Sequence, residues 1–254
     1  MKIIRNIPLG YRLFRSVSVF NYYIKDIEAA RNSGDFDKER EIISEATHKW
    51  SHIVTEMFGM RINVTGRENI PKDGPVVFIS NHQGYADIIV FFEAILNRQI
   101  GFIARDNLQK LPYFGKWISC IRGVFIKRGD AREALKSIND GVELLKNGFS
   151  LVIFPEGTRS QGGPMKQFKP GSFKLATRAK VPIVPVTING TYKIYEETGL
   201  FKGGDIDFVI HPAIDTASLS RHEVSSLVEN VEGTIRESLS ELIEKDKKRQ
   251  EERK

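Results

Sequence analysis

Val76-Val77-Phe78-Ile79-Ser80-Asn81-His82-Gln83-Gly84-Tyr85-Ala86-Asp87 decides the fold class. The apolar run 76–80 reads as a buried strand, and a polar loop carrying a histidine follows it. A helical segment at 87–96 comes next. Strand end, loop and helix, in that order, is where α/β sheets place their ligands.

Outward from this unit the same alternation repeats. Strands are predicted at 61–65, 76–80, 100–104, 123–126, 151–154, 183–188 and 205–210. Helical patterns fall near 87–96, 131–146 and 171–179, the second with Leu135, Ile138, Val142 and Leu145 on one face. Asp130 and Glu133 are placed to cap it, and Ser220 with Glu223 form a capping box for a C-terminal helix through Val231, Ile235 and Leu239. The reading is an α/β fold: a central mixed, largely parallel sheet of about seven strands covered by helices. The last dozen residues, ending Lys248-Arg249-Gln250-Glu251-Glu252-Arg253-Lys254, read as a solvated, fraying helix terminus.

Two helical patterns precede the sheet. The second has Ile42, Ala46, Trp50, Ile53 and Met57 on one stripe. The first, residues 1–25, holds five basic residues (Lys2, Arg5, Arg12, Arg15, Lys25) and no acidic one. The rest of the chain then has 33 basic and 32 acidic residues, so most of the net charge of +6 sits in this arm. A nearly neutral body argues against nucleic acid as a partner. On a helix, Ile3, Ile7, Tyr11 and Phe14 share a stripe opposite Arg5 and Arg12, although Pro8 counts against one continuous helix. No uncharged stretch approaches the roughly 20 residues a bilayer span needs. Arg12 and Arg15 interrupt any signal-peptide core. The arm therefore reads as a two-helix membrane-associating motif over residues 1–60, with Arg5, Arg12, Phe14, Arg15 and Phe20 meeting an anionic bilayer. An ordinary helix docked on the body is the alternative.

Composition removes other classes. A single cysteine, Cys120, excludes an intramolecular disulfide framework and a cysteine-rich zinc site. No Gly-x-Ser-x-Gly elbow is present, so a serine hydrolase is a poor reading. No metal site is read either, since no histidine pair is taken to have helix spacing near a carboxylate cluster.

Three segments carry groups suited to chemistry. In the opening stretch, Asp87 can turn back to accept from one imidazole nitrogen of His82, fixing the tautomer and leaving the other as a base. His-x4-Asp is a weak signal by itself. Phe154-Pro155-Glu156-Gly157-Thr158-Arg159-Ser160 follows a buried strand with a carboxylate, a hydroxyl and a guanidinium on a turn. An arginine fork suits phosphate, although a surface turn with a solvated arginine reads the same way. Gly123-Val124-Phe125-Ile126-Lys127-Arg128 ends a third strand in two cations, so Arg128 and Arg159 can meet at one edge of the sheet.

Together with Val181-Pro182-Ile183-Val184-Pro185-Val186, these segments match, in order, four blocks of a known family. The chain resembles the glycerolipid acyltransferases, specifically their 1-acyl-glycerol-3-phosphate acyltransferase branch, from about Gly66 to Ile210. The resemblance implies His82 as general base oriented by Asp87, with Arg128, Glu156, Gly157, Thr158 and Arg159 lining a phosphate and glycerol site. Arg105 stands where the family often has lysine and is the less certain member, since the two cations differ in geometry. The Pro185 block is expected to form a wall of the site. Backbone amides near His82, or around Gly157, are the candidates for an oxyanion hole.

The resemblance further implies an acyltransferase domain over 61–254. It would use no cofactor and no metal. Acyl-CoA or acyl-acyl carrier protein would be the co-substrate and lysophosphatidic acid the acceptor, at the cytoplasmic face of the cell membrane. Direct transfer without an acyl-enzyme fits, because a thioester is already activated. Glycerol 3-phosphate or another lysophospholipid as acceptor is the alternative within the class. A non-catalytic phospholipid-binding protein is the alternative outside it.

Overall fold

The structure, a computed structural model, describes residues 2–111, 113–127, 131–219 and 221–252, with the side chains of 2–5, 131, 221, 222 and 225 excepted. All seven predicted strands are present: β1 (Met60–Thr65), β2 (Val77–Ser80), β3 (Ile100–Arg105), β4 (Val124–Ile126), β5 (Ser150–Ile153), β6 (Ile183–Asn189) and β7 (Gly204–Ile210). They form one sheet in the order β1-β7-β6-β2-β5-β3-β4. Pairing is parallel throughout except between β6 and β7, so β1 and β7 run against the other strands.

Both faces of the sheet are covered, which is why the apolar residues of the central strands follow one another without alternation. Phe78 of β2 and Val152 of β5 join the core under α1 (Lys2–Ser16), α2 (Val19–Ser33), α3 (Phe36–Phe58), α4 (Ala86–Ala94) and α5 (Phe114–Cys120). Their neighbours Val77, Ile79, Leu151 and Ile153 point the other way. These meet α6 (Ala131–Lys146), α7 (Lys174–Ala179) and α8 (Arg221–Glu251). Successive side chains alternate faces along a strand, so a strand buried twice cannot alternate in polarity.

Three helices, not two, precede the sheet. The arm breaks between α1 and α2, where the hydroxyls of Ser16 and Ser18 donate to the carbonyls of Leu13 and Arg15, 2.6 Å each. Side chains that take helix carbonyls compete with the next turn, and the chain turns there. Gly34, at φ 74, then ends α2, and Asp35 caps α3 by accepting from the N–H of Lys38. Pro8, expected to interrupt a helix, lies inside α1.

Phe20 corrects the expected membrane face. It is 2% exposed, with its ring 5.7 Å from that of Trp50 and 5.1 Å from that of Trp117. An aromatic ring on the docked side of α2 gains more from this cluster than from an interface. The stripe above it behaves differently, with Ile7, Tyr11 and Phe14 exposed at 57%, 60% and 50%.

Glu39 of α3 is fully buried, yet Arg31 of α2 and Arg122 both bond its carboxylate, the latter through Nε and Nη2 at 2.8 and 2.7 Å. Paired guanidinia make a buried carboxylate tolerable and tie the helical motif to the body. The C-terminal helix is likewise fastened rather than frayed. Arg249 makes a forked pair with buried Asp207 of β7, and Lys193 pairs with Asp246.

Candidate active site

The loop after β2 is built by side chains that imitate strand pairing. Asn81 donates to Ile188 O at 2.8 Å and accepts from Ile188 N at 2.9 Å, extending β2 against β6 by one residue. Gln83 accepts from the N–H of Gly190 at 2.8 Å. Between them His82 is held half-buried at the C-terminal end of the sheet, with its ring stacked on Phe154 at 4.1 Å and 13°.

Asp87, in the first turn of α4, does turn back. Its Oδ2 lies 2.6 Å from His82 Nδ1 and also accepts from the N–H groups of Gln83 at 2.7 Å and Gly84 at 3.1 Å. Its Oδ1 takes the hydroxyl of Thr191. With two backbone N–H groups and a hydroxyl already donating to it, this fully buried carboxylate is arranged to accept from an Nδ1–H as well. That leaves the lone pair of Nε2, on the far edge of the ring, for a proton from elsewhere.

Glu156 has a different place from the one expected. It is buried, with Oε1 accepting from the N–H of His82 at 2.7 Å and Oε2 from that of Lys166 at 2.9 Å. Burial pushes its carboxyl above the ordinary range, and the two backbone N–H groups oppose that rise. Both oxygens are committed to the chain, one to the histidine loop and one to the backbone of Lys166.

The turn after β5 closes over this loop. Gly157, at φ 68, donates to Phe154 O, and Ser160 N and Gln161 N then reach His82 O at 2.7 Å and Gln83 O at 3.1 Å. A left-handed residue lets the turn fold back tightly at no Cβ cost. Arg159 is carried to Tyr85, its guanidinium carbon 3.5 Å above the ring centre. Its Nη1 meets Glu196 Oε1 at 2.7 Å. Arg105, at the end of β3, points Nη2 to Gly157 O at 3.5 Å. Thr158 is half-buried in the same turn. Arg128 lies outside the described residues, as does the side chain of Arg5.

The sequence reading missed Thr191 and Glu196. Both fall in the segment after β6, within and just beyond the 3-10 turn Thr191–Ile194, whose residues show no periodic pattern. It also misjudged the amides near His82. The N–H groups of His82, Gln83, Gly84 and Tyr85 donate to Glu156, Asp87, Asp87 and Glu196, so none is free for an oxyanion.

Among the described residues no cluster of three or more His, Cys, Asp or Glu is arranged to hold a metal ion. A histidine pair at helix spacing does exist. His48 and His52 of α3 both face Glu93 of α4, at 3.8 and 3.1 Å. They border a cleft of about 1110 Å³ that also includes Gln99 and Ser150, at the N-terminal ends of the strands and away from His82. Cys120 is buried, which pushes its thiol up.

A histidine fastened by a buried carboxylate, next to two arginines on strand-end turns, is an arrangement chemically able to act as a general base beside an anion. Comparison with known proteins shows the family to which the chain belongs. The family model described as acyltransferase matches residues 61–189. The 1-acyl-sn-glycerol-3-phosphate acyltransferase of Borreliella burgdorferi is 31% identical over 187 residues, 73% of each chain. The chloroplast 1-acyl-sn-glycerol-3-phosphate acyltransferase of Arabidopsis thaliana is 34% identical over 176 residues, 65% of this chain and 49% of its own. The chain thus spans about half the length of the chloroplast relatives it matches. The crystal structure of the 1-acyl-sn-glycerophosphate acyltransferase PlsC from Thermotoga maritima superposes with a TM-score of 0.78 at 29% identity, covering 95% of this chain and 98% of that one. The chain belongs to the acyltransferase family, within its 1-acyl-sn-glycerol-3-phosphate acyltransferase branch.

Proposed function

We propose that the chain moves a fatty acyl group from a thioester to the sn-2 hydroxyl of 1-acyl-sn-glycerol 3-phosphate, giving phosphatidic acid and a free thiol, a step of phospholipid biosynthesis. The observation that carries this reading is the 2.6 Å contact between His82 Nδ1 and Asp87, which leaves Nε2 as the base. Nε2 takes the proton of the acceptor hydroxyl as its oxygen attacks the thioester carbonyl. Asp87 steadies the imidazolium. The tetrahedral oxyanion then collapses, the thiolate leaves, and His82 returns the proton to sulfur. A positioned base supplies about 10²–10⁴-fold, with oxyanion donors adding a comparable factor. Arg159, with Arg105 at the end of β3, holds the acceptor phosphate, a role the family resemblance extends to Arg128, and Gly157 and Thr158 border the glycerol. With the amides of residues 82–85 engaged, the oxyanion is assigned to the turn after β5, at the N–H groups of Thr158 and Arg159.

An in vitro assay with defined lysophosphatidic acid tests the reaction, with acyl-CoA and acyl-acyl carrier protein as donors. Phosphatidic acid should form with at least one donor and disappear in His82→Ala. A headgroup panel should rank lysophosphatidic acid above glycerol 3-phosphate and above lysolipids lacking a phosphate monoester. Lipid binding without transfer under either donor overturns the enzyme reading.

The proposal includes the membrane. Residues 1–60 would form the membrane-associating motif and residues 61–254 the acyltransferase domain. No described helix is long and apolar enough to cross a bilayer. The support is the outer face of α1, where exposed Ile7, Tyr11 and Phe14 stand among exposed Arg12 and Arg15. Asn6 fastens this helix to the body by bonding Gly199 O at 2.6 Å and Phe201 N at 3.2 Å. The Phe14 ring meets that of Tyr113 edge-on at 5.4 Å, which carries the apolar face on to the loop before α5. An apolar stripe ringed by cations suits the anionic cytoplasmic leaflet, where each basic residue adds about 1 kcal/mol.

A further inference from the structure

Glu196 lies outside the four sequence blocks, yet its carboxylate stands inside the site. Its side chain is 4% exposed. Oε1 accepts from the N–H of Tyr85 at 2.8 Å and from Arg159 Nη1 at 2.7 Å. Oε2 is buried with no hydrogen-bond partner among the described residues. It rests against Gly84, where an added Cβ would come within 2.7 Å of it. The absence of a side chain at position 84 is what lets the carboxylate reach in.

Three facts separate this arrangement from an ordinary ion pair. A buried carboxylate oxygen that accepts nothing is costly, so stability alone does not account for its place. The same segment also supplies Thr191, which holds Asp87, so one stretch of chain sets both the base and the cation. Finally, the N-terminus of α4 is already occupied, because Asp87 and Glu196 take the N–H groups of Gln83, Gly84 and Tyr85. An incoming anion therefore depends on guanidinium groups rather than on helix amides. Arg159 has one face over Tyr85 and Nη1 on Glu196, which among the described residues leaves Nε and Nη2 as a forked edge. Such an edge binds two phosphate oxygens when its plane is fixed.

We propose that Glu196 is a positioning residue for acceptor recognition: it fixes the plane of Arg159 over Tyr85 so that the free edge of the guanidinium receives the acceptor's phosphate monoester. This rests on the reading of Arg159 as the phosphate ligand, and the test separates the two. KM and kcat for lysophosphatidic acid, and KM for the acyl thioester, are measured for Glu196→Ala, Glu196→Asp and Glu196→Gln. The alanine variant is measured again with Arg159→Ala.

Because a fixed guanidinium differs from a mobile one mainly in ground-state binding, Glu196→Ala should raise the acceptor KM about tenfold, with kcat within about threefold and donor KM unchanged. Glu196→Gln, whose amide oxygen can still accept from Tyr85 and Arg159, should recover most of that loss. Glu196→Asp, with the carboxylate drawn back by one methylene, should not, and it carries the same test if the alanine variant fails to fold. In the Arg159→Ala background the Glu196→Ala effect should vanish. An unchanged or lowered acceptor KM overturns the proposal, as does an equal rise in donor KM. So does a Glu196→Ala effect that persists in full without Arg159. If Arg159→Ala alone leaves the acceptor KM untouched, the phosphate reading of Arg159 fails whatever Glu196 does.

Discussion

The hydroxyl of Thr191 donates to the one oxygen of Asp87 that His82 does not use, across 104 residues of sequence. The two groups sit in a buried network, where a hydrogen bond to a charged acceptor contributes about 1.5–3 kcal/mol. Thr191→Val keeps the shape and removes the donor. It should lower kcat about tenfold with little change in either KM, since the histidine loses support rather than its substrate contacts. A kcat within twofold of the parent, measured on a variant whose melting temperature has dropped, would make Thr191 a purely structural residue.

Asp87→Asn tests the tautomer directly. The carboxylate accepts from His82, two backbone N–H groups and Thr191, all of them donors. An amide nitrogen placed among them forces either a clash of donors or the wrong imidazole tautomer. Where an analogous pair has been broken the loss in kcat is about 10⁴. His82→Ala should be as inactive within the same order, and the double variant should be no worse than either single one. Additive losses in steady-state transfer rates would mean that the two residues do not act as a unit.

Glu156→Gln separates positioning from substrate contact. Gln can keep one acceptor for the N–H of His82 or of Lys166, but not both. The histidine loop shifts, so kcat should fall by about tenfold or more while the acceptor KM stays close to the parent value. A large rise in acceptor KM at constant kcat would return Glu156 to the phosphate and glycerol site.

Separation along the chain decides how much of this site is legible in the sequence. The strand 76–80, the loop and the first turn of the helix lie within a dozen residues, so a contact between His82 and Asp87 was open to local reading, and the family resemblance singled it out. All seven strands were legible for the same reason, as short apolar runs between turn signals. Strand order was not legible, because β7 joins β6 antiparallel and β1 parallel through contacts that no local pattern encodes. Thr191 and Glu196 act at ranges of 104 and 111 residues, from a segment with neither helical nor strand periodicity. The C-terminal end reads as solvated because it is charged throughout with mixed signs, yet Arg249 finds Asp207 across 42 residues. The break at Ser16–Ser18 was hidden since two hydroxyls, and no glycine or proline, make it.

His211 sets an expectation for stability in acid. Burial holds its imidazole below the ordinary value of 6.5, and its Nε2 contacts the hydroxyl of Thr187 at 2.8 Å. The unfolded chain therefore takes up this proton at a higher pH than the folded one. Its contribution is fully present above the unfolded pKa and is lost as pH falls from about 6.5 through the lower folded pKa. His211→Asn cannot take a proton, so the fall in melting temperature as pH drops below about 6.5 should be shallower in that variant. The test is the slope of melting temperature against pH. An unchanged slope assigns the acid sensitivity to the carboxylates instead.

The exposed face of α1 predicts how binding divides between apolar and charged contributions. Tyr11 and Phe14 are at least half exposed, while Leu9 and Leu13 on the opposite side pack against the core. Tyr11→Ser with Phe14→Ser therefore removes apolar surface available to lipid without touching the docked face. Burying a large side chain fully is worth about 1.5–3 kcal/mol, so even partial insertion of two rings should shift vesicle affinity by about tenfold or more. Arg12→Gln with Arg15→Gln should instead weaken binding to anionic vesicles and flatten its salt dependence, leaving neutral vesicles nearly unaffected. Sedimentation with vesicles of both compositions, at low and high salt, distinguishes the two. If neither pair changes sedimentation, α1 is an ordinary docked helix. If only the arginine pair does, the face adheres by charge without inserting its rings.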